Sequence, residues 1–137
     1  ATPLPLPPAI PGLDATVARV ESLRPGLEIP LAKGGHATRF RDVLDSRAQV
    51  WEATTDGQPV MVVTGTTAYL GAWLDGAAMR RVLKEACTRA GITTSELHEG
   101  VRCRDTATER FWFNYGTQPA TVADTVLPPA GVLRQPL

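Results

Sequence analysis

The sequence predicts an α+β protein: a three-strand antiparallel meander and one main helix, followed by a small antiparallel β-domain. Three observations carry this. First, Asp56-Gly57 stands between two strand-like runs, Val50-Trp51-Glu52-Ala53-Thr54 and Pro59-Val60-Met61-Val62-Val63. Asp-Gly is favoured in tight hairpin turns, whose central residues adopt positive φ. Second, residues 75–90 place Ala78, Met79, Val82, Leu83, Ala86, Cys87 and Ala90 at helical spacing, leaving Arg80, Arg81, Lys84 and Arg89 for water. Third, the last forty residues hold short β-signals, among them the aromatic run Glu109-Arg110-Phe111-Trp112-Phe113-Asn114-Tyr115 stopped by Gly116.

Taken in order, residues 1–12 hold Pro3, Pro5, Pro7, Pro8 and Pro11. Proline fixes φ and lacks a donor, so this stretch is expected as an extended strap across a domain. Ala15 to Leu23 alternates weakly and reads as a strand ending at Arg24-Pro25-Gly26, and Leu27 to Leu31 reads as a short extended piece. Between His36 and Leu44, Phe40, Val43 and Leu44 fall at i, i+3 and i+4, which predicts one or two helical turns.

The continuous apolar run of residues 59–63 predicts a strand buried on both faces. Thr66 to Trp73 completes the meander. Asp75 is a suitable N-cap, because its carboxylate can accept from the free amides of the first turn, and Gly91 sits where a left-handed cap belongs.

Ile92 to Gly100 loses all periodicity and marks a boundary. The expected domains are therefore 1–93 and 98–137. In the second, strands are predicted near Val101–Arg104, Arg110–Tyr115, Ala120–Val122 and Gly131–Leu133. Alternation sets Phe111 and Phe113 on one side of a strand and Trp112 on the other. The expectation is that both phenylalanines enter the core and that Trp112 packs on a neighbouring domain.

With 137 residues, a chain can bury roughly 68% of its unfolded surface, enough for a modest core. Fourteen basic residues balance fourteen acidic ones, which argues against a nucleic-acid or anionic-membrane partner. No apolar run approaches the ~20 residues of a membrane span, and no charged segment precedes an apolar one in the manner of a signal peptide. Cys87 and Cys103 are too few for a disulfide framework and are expected as reduced thiols, Cys87 buried on the helix and Cys103 on a strand. Scarce cysteine points to the cytoplasm.

The chemistry-bearing residues do not converge on a reaction. Neither His36 nor His98 lies in an H-x-x-x-H or H-E-x-x-H spacing, so no metal is expected. Ser22, Ser46 and Ser95 lack a G-x-S-x-G elbow, and Lys33-Gly34-Gly35 is too short for a phosphate loop. Glycoside hydrolysis needs two carboxylates flanking the sugar bond. Glu21, Glu28, Glu52, Glu96, Glu99 and Glu109 each sit among charged or polar neighbours and read as solvated. Catalytic, cofactor-binding and metal-ligating residues are therefore all expected to be none.

Taken together, Glu21-Ser22-Leu23-Arg24-Pro25-Gly26, the Asp56-Gly57-x-Pro59-Val60 hairpin, Tyr69-Leu70-Gly71-x-Trp73 and the helix after Asp75 resemble the second half of the trimerisation domain in family 42 β-galactosidases. Glu99-Gly100-Val101-Arg102, Phe113-Asn114-Tyr115-Gly116 and Leu127-Pro128-Pro129-Ala130-Gly131-Val132 are similar to the short β-domain that ends those enzymes. The resemblance implies an amidotransferase-like α/β setting for the first domain. It places the family's catalytic glutamates on an N-terminal (β/α)₈ barrel, so no catalytic residue carries over. The implied role is non-catalytic, in subunit assembly and support of a homo-oligomer, a trimer in the full protein, with the barrel or other subunits as partners. An alternative from the residues is a stand-alone carbohydrate-binding module using Trp51, Trp73 or Trp112.

Overall fold

The computed structural model describes residues 7–137, so the first half of the proline-rich lead-in lies outside the described residues. The chain divides into two compact units between Ile92 and Thr93. It is mostly β, with one main helix. No helix among the described residues is long and apolar enough to cross a membrane.

The first unit runs β1 (Ala15–Ser22), β2 (Ile29–Pro30), β3 (His36–Ser46), β4 (Gln49–Ala53), β5 (Pro59–Thr64), β6 (Thr67–Leu70), β7 (Ala72–Leu74) and α1 (Gly76–Arg89). β4, β5 and β6 form the predicted meander. β3 is the spine of a second sheet: Ala37 pairs with Ile29 on one side and Leu74 on the other, so β2 and β7 lie along opposite edges. β1 pairs along the rest of β3. Val17 N–H donates to the Pro7 carbonyl at 2.6 Å, so the lead-in lies beside β1 at Pro7.

The helical turns expected between His36 and Leu44 are absent; the segment is the longest strand of the unit. A bulge causes the misleading spacing. The register against β7 shifts between Thr38 and Arg41, and Arg39 takes φ +62°. An inserted residue turns the following side chains over. Ala37 therefore points inward before the bulge and Asp42 and Leu44 after it, which breaks the period of two.

The predicted third strand over 66–73 is divided at Gly71. Its amide donates to Val60 O at 2.8 Å and its carbonyl accepts from Asp42 N at 2.6 Å, so this residue passes the chain from the meander to the β3 sheet. A Cβ here would meet the Asp42 Cβ at 3.2 Å. α1 begins as expected: Asp75 accepts from Ala78 N at 2.8 Å and, through its other oxygen, from His36 N at 2.7 Å. Its inner face buries Ala78 and Val82 against Leu31, Ala37, Trp51, Val60, Met61, Val63, Ala72 and Leu74. Each fully buried Val or Leu contributes about 1.5–3 kcal/mol. Leu83, expected on that face, is exposed, and Cys87 is half-buried rather than buried.

The second unit runs β8 (Val101–Asp105), β9 (Glu109–Asn114), β10 (Ala120–Val122), β11 (Thr125–Leu127) and β12 (Val132–Pro136). β9 is central in a three-stranded antiparallel sheet between β8 and β12, while β10 and β11 form a hairpin. β11 was not legible in the sequence. Its hairpin turns at Ala123 and Asp124, both with positive φ (45° and 61°), without the glycine that usually announces such a turn.

The aromatic run is oriented opposite to expectation. Trp112 faces the core of this unit, with Val101, Val122, Leu127, Ala120 and Leu133, and its indole N–H donates to Gln135 Oε1 at 3.0 Å. Phe111 and Phe113 lie on the outer face. Alternation correctly separates the two sides, but only cross-strand partners decide which side is inner. Trp112 stands between Cys103 and Leu133, whereas Phe111 stands between Arg104 and Arg134.

Candidate interaction surface

The polar groups of the first unit are committed to structure. Glu52, expected to be solvated, is buried, with its side chain 2% exposed and 2.5 Å from Arg81. Arg81 also donates to Gly34 O at 2.9 Å, tying α1 to the turn before β3. A second buried carboxylate, Asp42, accepts from the Tyr69 hydroxyl at 2.6 Å. Burial, and then that bond to Asp42, pushes the Tyr69 hydroxyl up to about 12. His36 opens β3 with Nδ1 3.4 Å from Asp75 and 3.7 Å from Glu28, beside the helix cap. His98, Glu96 and Glu99 lie in the exposed segment preceding β8. Among the described residues, no group of three or more His, Cys, Asp or Glu side chains gathers as a metal site.

The three tryptophans do not form one platform. Trp51 is buried, with the Arg89 guanidinium 3.7 Å above its ring. Trp73 is exposed, yet Arg39 lies 5.0 Å from its centroid. Trp112 is packed inward with Arg110 5.7 Å away. Each ring has a guanidinium over it, worth about 0.5–2 kcal/mol as a cation–π contact.

The feature that stands out lies on the outer face of the β8–β9–β12 sheet. Phe111, Phe113 and Tyr115 are stacked along β9, with centroids 6.4 and 6.0 Å apart and ring planes within 19° and 16° of parallel. Phe113 pairs across the sheet with Arg102 and Val132, and Phe111 with Arg104 and Arg134. Tyr115 is 72% exposed. An open groove of about 530 Å³ runs along Arg102, Cys103, Arg104, Phe113 and Tyr115. Arg134 is occupied by Glu109. The Arg102 guanidinium donates to the Val101 carbonyl at 2.8 Å, and among the described residues neither Arg102 nor Arg104 meets a carboxylate.

On the opposite face, Arg110 holds Asp105 through two bonds of 2.7 Å. The Arg110 guanidinium keeps the Asp105 carboxyl below its usual range and is itself pushed up by it. Burial and the neighbouring Asp105 raise the Cys103 thiol, which disfavours the nucleophilic thiolate. The arrangement can hold another surface by stacking and forked hydrogen bonds. It places no acid–base pair across a cleft. The sequence signal for the row was the i, i+2, i+4 aromatic spacing, which by itself does not tell an inner face from an outer one.

Comparisons with known proteins follow the same division. No protein-family model matches the chain. It is 33% identical over 111 residues to a β-galactosidase of Thermus thermophilus and 34% identical over 111 residues to the β-galactosidase BgaA of a Thermus species. Each match takes in 77% of this chain and 17% of the relative, so the chain spans about a sixth of the length of the curated relatives it matches. Among solved structures, the β-galactosidase of the psychrophilic Marinomonas ef1 superposes with a TM-score of 0.79 at 23% identity, covering 88% of this chain and 20% of that one. That of Halorubrum lacusprofundi gives 0.76 at 22% identity, covering 89% and 22%. Gan42B, a family 42 β-galactosidase, gives 0.67 at 13% identity, covering 88% and 23%.

The fold is thus that of one portion of a much longer glycosidase. The chain is a β-galactosidase relative and corresponds to the C-terminal part of the family 42 enzymes.

Proposed function

We propose that this chain serves as a non-catalytic C-terminal region of a β-galactosidase, supporting the barrel that hydrolyses terminal β-galactosides and the assembly of its subunits. The observation that carries the reading is the sequence match, which joins most of this chain to about a sixth of a β-galactosidase. On this reading residues 1–93 are part of an amidotransferase-like trimerisation domain and residues 98–137 a small closing β-domain. The partners are the barrel and the other subunits of a homo-oligomer, a trimer. The free cysteines Cys87 and Cys103 suit a reducing, cytoplasmic setting.

Two measurements test it. The pure 137-residue chain is expected to give no turnover of an aryl β-galactoside, and measurable hydrolysis overturns the reading. Deleting the matching region from the Thermus thermophilus enzyme is expected to reduce its assembly, read by light scattering after size exclusion. Grafting this chain in its place is expected to restore the assembly. A graft that leaves the enzyme dissociated overturns the assembly role.

A further inference from the structure

The outer face of the β8–β9–β12 sheet lies outside the buried core of its own unit, yet it carries the unit's largest apolar side chains beyond that core. We propose that this face docks on a carboxylate-bearing surface of the remaining, barrel-carrying part of a β-galactosidase polypeptide. The inference rests on the functional reading above and names the partner surface within it.

Three observations converge. The unit Thr93–Leu137 has a core of only Val101, Val122 and Leu127 with their partly buried neighbours. Domains of even about 60 residues are marginal, and smaller ones usually need disulfides, a metal or a partner. Cys103 is free, and no metal-holding cluster exists among the described residues, which leaves a partner. The composition of the face also fits, since aromatic and arginine side chains are those enriched at the energetic centres of interfaces.

Charge selects the chemistry of that partner. Within the unit, Arg110 and Arg134 are matched to Asp105 and Glu109. Arg102 and Arg104, side by side on β8 across from the stacked rings, meet no carboxylate among the described residues. A guanidinium is a planar fork that pairs best with a carboxylate. In the relatives the corresponding region makes up 17% to 23% of the polypeptide, so about four-fifths of each chain is available to supply that surface.

The test uses the grafted enzyme described above beside the isolated chain. Hydroxyl-radical footprinting should show Phe113 and Tyr115 oxidised about fivefold more slowly in the graft, because the centre of an interface excludes water. The double variant Arg102→Glu, Arg104→Glu alters two exposed side chains and should leave the melting of the isolated chain unchanged. In the graft it should return the oxidation of Phe113 and Tyr115 most of the way to the isolated rate.

Equal oxidation in an assembled, active graft and in the isolated chain would overturn this inference while leaving the function reading intact. So would protection of the isolated chain that grows with its own concentration, which would mean a second copy covers the face. Protection by added galactan would overturn it in favour of a sugar. A graft that neither assembles nor turns over substrate would remove the function reading, and this inference with it.

Discussion

The two units bury polar groups in opposite ways. The first encloses two carboxylates, Asp42 and Glu52, each facing one side-chain partner, Tyr69 and Arg81. The second encloses one neutral amide, Asn114, at 2% exposure. The two hydrogens of its Nδ2 are shared among the carbonyls of Gln118, Leu127 and Pro128 at 2.8, 3.1 and 3.1 Å, and its Oδ1 accepts from Gly116 N at 2.9 Å. The difference follows core size. A unit with two apolar clusters can offset the desolvation of a charge held by a single side-chain partner. A unit with three buried apolar side chains relies on a neutral amide whose two N–H groups and one oxygen reach four backbone groups.

That contrast makes Asn114 the most sensitive position. Asn114→Ala removes the donor to the Gln118 and Leu127 carbonyls and the acceptor of Gly116 N in a place water reaches poorly, leaving Pro128 O only its bond from Gly131 N, and should cost about 3 kcal/mol. The expected result by NMR is loss of dispersed amide signals across 93–137 while those of α1 persist. Signals of both units melting together would break the comparison, because it would show that they do not respond separately.

A smaller effect is expected at Tyr69. Tyr69→Phe leaves the Asp42 carboxylate without its hydroxyl donor and should cost about 2 kcal/mol near neutrality. The proton on Tyr69 also has a pH signature. Its folded value is raised, to about 12 from 10.0, so the folded state holds the proton more tightly than the unfolded chain. The contribution is complete below pH 10 and is lost as pH rises towards about 12. Urea melts across that range should therefore show an alkaline loss in the wild type that Tyr69→Phe lacks.

The smallest of the three concerns the helix cap. Asp75→Ala removes the acceptor for Ala78 N and His36 N and should cost about 1 kcal/mol. The Ala78 amide, then the His36 amide, holds the Asp75 carboxyl below its ordinary value. A depressed value means the contribution is present above the ordinary carboxylate range and is lost as pH falls through the lowered one. Wild type and variant should therefore converge in stability in acid, as read by thermal melts. A gap independent of pH would show that the cap acts through packing and not through its charge.

How much could be read in advance depended on whether the signal was local. The Asp56-Gly57 hairpin, the apolar β5 and the capped helix each announce themselves within a few residues, and each is present. β3 was misread because its bulge at Arg39 breaks the period of two, and a broken period of two can imitate helical spacing. Glu52 was misread because its partner Arg81 lies 29 residues away on α1. β11 was missed because Ala123 and Asp124 take positive φ without help from glycine.

The aromatic row shows where local information stops. Sequence alone determined that this chain pairs β-strands with one amphipathic helix, that Phe111 and Phe113 share a side, and that its residues resemble the C-terminal part of a β-galactosidase. Only the tertiary structure decided that this side is the outer one. A strand's alternation is symmetric between its two faces, and the symmetry is broken by what stands across the sheet. Leu133 and Cys103 draw Trp112 inward, while Arg102 and Arg104, which meet no carboxylate among the described residues, keep the phenylalanine row facing out, because burying guanidiniums without a counter-charge costs more than leaving rings half-exposed.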